Sequence, residues 1–227
     1  MVVPTMQQIP LAIGPEPLPT FESFLPGPNA AAHAQLQALQ LPAPPIYLWG
    51  PAGSGKTHLL RALAHRQQQQ GQRVGWFDAR DAVPWTAAAD WSLVVIDRCE
   101  ALDVAAQQAA FALFVEATGQ GVPIAAAGRL PPVDLPLRDD LRTRLGWGHV
   151  FALQPLSEAE TRAALRREAD RRGIFLSDEV MDHLLTRFER DMGSLIGLLD
   201  RLDQFSLARS RAVTVPLLRS MLAEEGR

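Results

Sequence analysis

The segment Gly50-Pro51-Ala52-Gly53-Ser54-Gly55-Lys56-Thr57 constrains this chain more than any other stretch. It fills every fixed position of the pattern G-x-x-x-x-G-K-[ST] and lies between a short apolar run, Ile46 to Trp49, and an amphipathic stretch that begins at Lys56. Glycines at 50, 53 and 55 let the backbone turn with its N–H groups facing inward around phosphate oxygens, and the start of a helix adds positive potential. Lys56 is spaced to reach the β- and γ-phosphates of a nucleoside triphosphate, and Thr57 to offer its hydroxyl to Mg²⁺. The competing account, a glycine-rich turn with a stray lysine, leaves the complete pattern to coincidence.

A strand, a phosphate loop and a helix in succession imply a parallel sheet, and the flanking sequence agrees. Short apolar runs at Ile46 to Trp49, Val74 to Phe77, Leu93 to Ile96, Pro123 to Ala127 and His149 to Leu153 alternate with helical stretches near Lys56 to Gln70 and Ala105 to Ala117. This is the pattern of an α/β fold, a parallel sheet covered on both faces by helices. The uniformly apolar run Leu93-Val-Val-Ile96 suits a strand buried on both sides. A further helix is expected from Ala30 to about Gln40, ended by Pro42, Pro44 and Pro45. The polar run Gln67 to Gln70 fits the solvated end of the phosphate-loop helix.

After Leu153 the strand signals stop. Ser157 with Glu160 makes a capping box for a helix that runs to Arg172 and ends at Gly173. Ser177, Asp178 and Glu179 open another, and two more are expected over Gly193 to Arg209 and Val215 to Glu224. Arg162, Arg166, Arg167, Arg171 and Arg172 alternate with Glu158, Glu160, Glu168 and Asp170, the pattern of a solvated, ion-paired face. At the other end, residues 1–28 hold seven prolines and only Glu16 and Glu22 as charges, which predicts an extended arm. The expected organisation is therefore an arm over 1–28, a nucleotide-binding domain over 29–154 and a helical lid subdomain over 155–227.

The second half of a nucleotide site is a carboxylate at the end of another strand, and Asp97 supplies it after Leu93-Val-Val-Ile96. ATPases of this type commonly follow that aspartate with a second carboxylate that polarises water; here Arg98 follows, which cannot accept a proton. Glu100 lies close by, either acting through a water or standing as a surface loop acid. The strand ending at Ala127 leads into Gly128 and Arg129, where a polar sensor residue is usual. Both departures point to nucleotide binding with slow self-catalysed turnover.

Composition narrows the rest. A formal net charge of -3 lacks the basic surplus that a nucleic-acid grip calls for. One cysteine, Cys99, excludes an internal disulfide framework, and the five histidines show no metal-ligand spacing. No apolar run has the ~18 residues of a membrane span, and the opening MVVPTMQQIP lacks the basic start of a secretory signal. A cytoplasmic protein with no membrane partner is expected.

At this point the chain resembles the family of DnaA regulatory inactivators, the Hda family, relatives of the AAA+ domain of the bacterial replication initiator DnaA. The resemblance covers nearly the whole chain and rests on Thr20-Phe-Glu-Ser-Phe24, Tyr47-Leu-Trp-Gly50, Leu141-Arg-Thr-Arg-Leu-Gly-Trp-Gly148, Leu153-Gln-Pro-Leu-Ser157 and Arg190-Asp-Met192. It implies a P-loop AAA+ sheet sandwiched by helices with a small all-helical lid, ADP or ATP with Mg²⁺ as cofactors, and no DNA-reading helix-turn-helix after Arg227. It also implies a function: binding to the DNA polymerase III sliding clamp and, in that complex, stimulating hydrolysis of ATP held by DnaA. Initiation is then switched off, DNA is met only through the clamp, and a homo-oligomer is possible within this family.

Three assignments follow residue by residue from the resemblance. Gln8-Ile9-Pro10-Leu11-Ala12-Ile13 is similar to the clamp-binding hexapeptide Q-L-x-L-x-L, with Gln8, Ile9, Leu11 and Ile13 as its contacts. Arg144 matches the arginine finger that one subunit presents to its neighbour's γ-phosphate; its alternative is an ion pair with Asp139 or Asp140. Arg190 matches the lid's sensor arginine, against the alternative of an exposed charge beside Glu189 and Asp191. The rival class is an AAA+ helicase loader or other DNA-handling ATPase, which needs a basic DNA-contacting element and a second carboxylate after Asp97. A small-molecule kinase is a third possibility, disfavoured by the helical bundle that follows the last strand.

Overall fold

The computed structural model describes residues 19–40, 42–188 and 191–225. They divide in sequence, between Pro155 and Leu156, into two compact units. The first holds α1 (Ala30–Ala38), β1 (Ile46–Trp49), α2 (Lys56–Gln69), β2 (Arg73–Asp78), β3 (Trp91–Asp97), α3 (Val104–Gly119), β4 (Ile124–Gly128), α4 (Asp139–Leu145) and β5 (His149–Ala152). Its five strands form one sheet in the order β2-β3-β4-β1-β5, every neighbouring pair parallel. Each strand of the expected pattern is present.

Strand periodicity builds the two cores of this unit. Ile46, Leu48, Leu93, Val95, Ala125 and Ala127 face one side and pack with Leu59, Leu60 and Leu63 of α2. Their sequence neighbours Tyr47, Val94, Ile96, Ile124 and Ala126 face the other, against Ala110, Leu113 and Phe114 of α3. Both sides being covered explains why β3 and β4 read as unbroken apolar runs. On α2, Gln67 is buried while Gln68 to Gln70 are exposed, so only the last part of the glutamine run is solvated. Asp103 starts α3 by accepting a hydrogen bond from the Ala106 N–H at 2.8 Å.

Two features depart from the expectation. The arm expected over 1–28 includes Phe21 and Phe24, yet both are core residues, grouped with Leu36 and Leu59. They are held by a turn in which Ser23 N–H donates to Thr20 Oγ1 at 3.1 Å, and the imidazoles of His58 and His33 meet the carbonyls of Thr20 and Phe21 at 2.9 and 2.8 Å. Proline density rules out a helix here, but not the burial of two aromatic rings. The other departure is α4, a seven-residue helix that the periodicity of the sequence did not announce.

The second unit is helical: α5 (Glu158–Arg171), α6 (Asp178–Arg187), α7 (Met192–Arg209) and α8 (Val215–Glu225). The capping box at Ser157 and Glu160 is formed, and Ser177 and Asp191 cap α6 and α7 through the N–H groups of Val180 and Ser194. Leu165, Val180, Leu184, Leu195, Leu199 and Leu218 meet in its core. The charged face of α5 pairs partly outward to its neighbour: Arg162 with Asp182 and Arg166 with Asp178, both on α6. Among the described residues, no helix is long and apolar enough to cross a membrane.

Candidate functional site: a phosphate loop and an arginine on aromatic rings

The phosphate loop leaves the sheet where β1 lies between β4 and β5, with Trp49 in register with Gly128 and Ala152. Ligand crevices of parallel sheets form at this carboxyl edge. Gly50 adopts φ 150°, and a Cβ there would stand 2.1 Å from the Leu153 carbonyl oxygen. Gly55 adopts φ 92°, and its Cβ would stand 2.5 Å from the Phe24 ring. Both positions therefore require glycine, and Phe24 is part of the wall behind the loop. Pro51, Ala52 and Gly53 are exposed, while Ser54 is buried.

The Lys56 Nζ donates to the carbonyls of Gly50 and Pro51, each at 2.7 Å, and to Ser54 Oγ at 3.3 Å. Burial lowers its pKa, and Arg129 pushes the same way, while Glu100 and Asp97 oppose the shift. A half-buried ammonium folded onto its own loop is a cation matched to an incoming phosphate. Thr57 Oγ1 donates to Asp97 Oδ2 at 2.8 Å, and Asp97 Oδ1 accepts the Arg98 N–H at 2.9 Å. This oxygen pair suits a hard cation. Among the described residues no group of three or more His, Cys, Asp and Glu could hold a metal, so Mg²⁺ bound here needs phosphate oxygens and water to complete its shell. The residues fit a Mg²⁺ nucleotide.

Arg98 turns away from this cluster. Its backbone is left-handed at φ 55°, and its guanidinium bonds Asp78 at the end of β2 at 2.5 Å. Burial works to raise the Asp78 carboxyl, but the Arg80 N–H and the Arg98 guanidinium prevail and hold it below the usual carboxylate range. Glu100 is not a surface loop acid. Its side chain is 18% exposed, pairs with Arg129 Nε at 3.2 Å and accepts the Arg129 N–H at 3.2 Å. The carboxylate lies within 3.4 Å of where a Gly128 Cβ would stand, at the end of β4. The signal missed in the sequence is the turn over Cys99–Ala101, whose fully buried Cys99 aims the following glutamate back at the sheet.

Arg144 stands elsewhere on the same unit, in the last turn of α4. The ion pair considered for it is absent: Asp139 pairs with Arg142, and Asp140 takes a two-point bond from Arg138. The Arg144 guanidinium instead lies over two rings of α3, 5.2 Å from the Phe111 centroid and 5.8 Å from that of Phe114. Phe111, Asp139, Asp140, Thr143, Arg144 and Trp147 line a cleft of about 420 Å³, and the Trp147 side chain is 71% exposed. Arg190 and the peptide Gln8, Ile9, Leu11 and Ile13 lie outside the described residues.

Comparison with known proteins places this geometry. Residues 16–83 match the family model of the bacterial DnaA ATPase domain, and residues 158–222 match that of the Hda lid domain. Domain III of DnaA from Thermotoga maritima superposes with a TM-score of 0.71 at 22% identity, over 92% of this chain and 98% of that one. AMPPCP-bound DnaA from Aquifex aeolicus follows at TM-score 0.65 and 21% identity, over 82% of this chain and 65% of that one. The RuvB Holliday junction branch migration motor of Thermotoga maritima shares the fold at TM-score 0.58 and 16% identity, over 86% of this chain and 65% of that one. Sheet order, phosphate loop and helical lid together define a P-loop protein of the AAA+ class. Within that class the chain is Hda/DnaA-related: it carries the match to the bacterial DnaA ATPase domain in its first part and the match to the Hda lid domain in its last.

Proposed function

We propose that this protein is a negative regulator of chromosomal replication initiation that stimulates hydrolysis of DnaA-bound ATP while docked on the sliding clamp. The Hda-type lid supports the choice of regulator over initiator. The observation that carries the mechanism is Arg144, a half-exposed guanidinium resting on aromatic faces with no carboxylate partner among the described residues. Delivered to a neighbour's γ-phosphate, such a cation stabilises charge that spreads over the transferring group's oxygens.

The chain's own site supports a holding role. Gly50 to Thr57 would cradle ADP or ATP, with Lys56 exchanging loop carbonyls for phosphate oxygens and Thr57 and Asp97 holding Mg²⁺. Bound nucleotide would bring phosphate charge to Lys56, which here meets the loop carbonyls and Ser54 Oγ. Arg190 of the lid is assigned to the same nucleotide. Arg98, turned to Asp78, accepts no proton, and Glu100 is engaged by Arg129, so self-catalysed turnover is slow. Gln8, Ile9, Leu11 and Ile13 are assigned to the clamp's peptide groove, and DNA is met through the clamp in the cytoplasm.

The test is phosphate release from DnaA-ATP, with and without clamp loaded on DNA. Wild-type protein is expected to stimulate it only with clamp. Arg144→Ala, checked for folding, nucleotide binding and clamp binding, is expected to lose on the order of 10³-fold of the stimulated rate. Full stimulation by that variant removes Arg144 from the mechanism, and no stimulation by wild-type protein overturns the function.

A further inference from the structure

We infer that Phe111 is a positioning residue for Arg144, a platform on α3 that orients the guanidinium before a partner arrives; this role rests on the function proposed for Arg144. The argument starts with how α4 is anchored. Leu141 and Leu145, one helical turn apart, are buried with Leu113 and Phe114 of α3, so the helix is pinned along one edge. That register brings residue 144 beside the exposed end of the α3 aromatic pair. Phe114 is fully buried, whereas Phe111 is half-exposed and borders the cleft.

The neighbouring charges are arranged so that this contact prevails. Two carboxylates, Asp139 and Asp140, lie on the same short helix within reach of any arginine nearby. Arg142 takes the first and Arg138 the second, the latter through Nε at 3.2 Å and Nη2 at 2.7 Å. Arg138 also lies over the Phe111 ring, 5.5 Å from its centroid. Its charge is neutralised by Asp140, which leaves Arg144 as the guanidinium held by the rings without a counter-ion among the described residues.

A cation–π contact differs from an ion pair in what it leaves available. A carboxylate partner would occupy the in-plane N–H donors that a phosphate must meet, and would have to be displaced at docking. A ring face attracts the cation without accepting from its N–H donors in the way a carboxylate does. A long side chain restricted in advance loses less freedom on reaching its target, which raises the rate within the complex more than the affinity of the complex. Trp147, exposed on the same cleft, is then part of the contact surface and Phe111 part of the aim.

The experiment uses the full-length chain with Phe111→Leu, Phe111→Met and Phe111→Tyr. In protein alone, the Arg144 Nε–Hε resonance, assigned with Arg144→Lys, is expected to show an aromatic ring-current shift that survives Phe111→Tyr and is largely lost in Phe111→Leu. On DnaA-ATP with clamp-loaded DNA, Phe111→Leu is expected to lower the maximal stimulated rate about tenfold, the size of one cation–π contact. The concentration for half-maximal stimulation should stay within about twofold, and Phe111→Tyr should restore the rate. If Phe111→Leu unfolds, Phe111→Met serves in its place. Wild-type maximal rate in a variant that has lost the shift overturns the positioning role, as does a change confined to half-maximal concentration. No stimulation by wild-type protein overturns the functional reading and the role with it.

Discussion

At the residue scale, one position decides how the site handles its nucleotide. Arg98 stands where a second carboxylate is expected after Asp97, which suggests that Arg98→Glu would restore catalysis. The geometry argues otherwise. Residue 98 is left-handed at φ 55° and its side chain runs to Asp78, while Glu100 occupies the end of β4. Arg98→Glu should place two carboxylates together at the end of β2 and cost about 1–2 kcal/mol, from the lost pair and the new repulsion. ATP turnover should not rise. Urea unfolding and a steady-state phosphate assay check both, and a clear gain in turnover would show that position 98 reaches the water after all. By contrast, Arg98→Gly or Arg98→Asn suits the left-handed backbone and should be close to neutral in stability. The residues of the phosphate loop and Asp97 stand out in the sequence as a candidate site because the chemistry expected of them is tied to fixed spacing. Glu100 was not, since its role depends on a turn that reverses the chain after Asp97, and nothing in Arg98-Cys99-Glu100 fixes that reversal by pattern alone.

At the element scale, strands and long helices were legible because burial on two faces, or on one helical face, leaves a periodic trace. α4 left almost none: seven residues, four of them charged, with Leu141 and Leu145 as its apolar anchors. Thr20 to Phe24 failed for a different reason. Proline-rich surroundings argue against a helix, but a turn such as Thr20 to Ser23 can still insert side chains into a core that only the assembled sheet creates. Phe24 stacks on His33, with centroids 5.3 Å apart, and backs Gly55 at the start of α2. Phe24→Ala should therefore cost about 3–5 kcal/mol, as loss of a buried aromatic does, and should also weaken nucleotide binding by loosening the turn into Lys56. Denaturant unfolding with calorimetric ADP titration tests this. A variant as stable as wild type would put the segment back in the arm. If it loses stability but binds ADP with full affinity, the ring is core and no part of the loop's support.

For the whole molecule, the proposed regulator separates three tasks along the chain: an N-terminal peptide for the clamp, a phosphate loop for its own nucleotide and an arginine for a partner's. Such separation has a consequence in mass action. A peptide tethered to the clamp raises the local concentration of Arg144 near any DnaA held close to the same DNA, up to the mM range for a short flexible linker. Loss of the peptide then removes proximity, whereas loss of Arg144 removes chemistry. Gln8→Ala and Leu11→Ala should each weaken clamp binding about tenfold or more, since an extended peptide depends on a few anchoring side chains. Neither should shift the unfolding of the rest, as expected of a peptide that serves a partner rather than the core. The two classes of variant part at high protein concentration. Stimulation of DnaA-ATP hydrolysis by Leu11→Ala should recover toward wild type as its concentration is raised, while Arg144→Ala should stay inactive throughout. The measurement is a concentration series of both variants against clamp-loaded DNA and DnaA-ATP, with clamp affinity determined in parallel by calorimetry. Unchanged clamp affinity in both peptide variants removes residues 8–13 from the clamp contact. Weakened affinity with no recovery at any concentration means that the peptide does more than tether, and that clamp binding itself arranges the arginine.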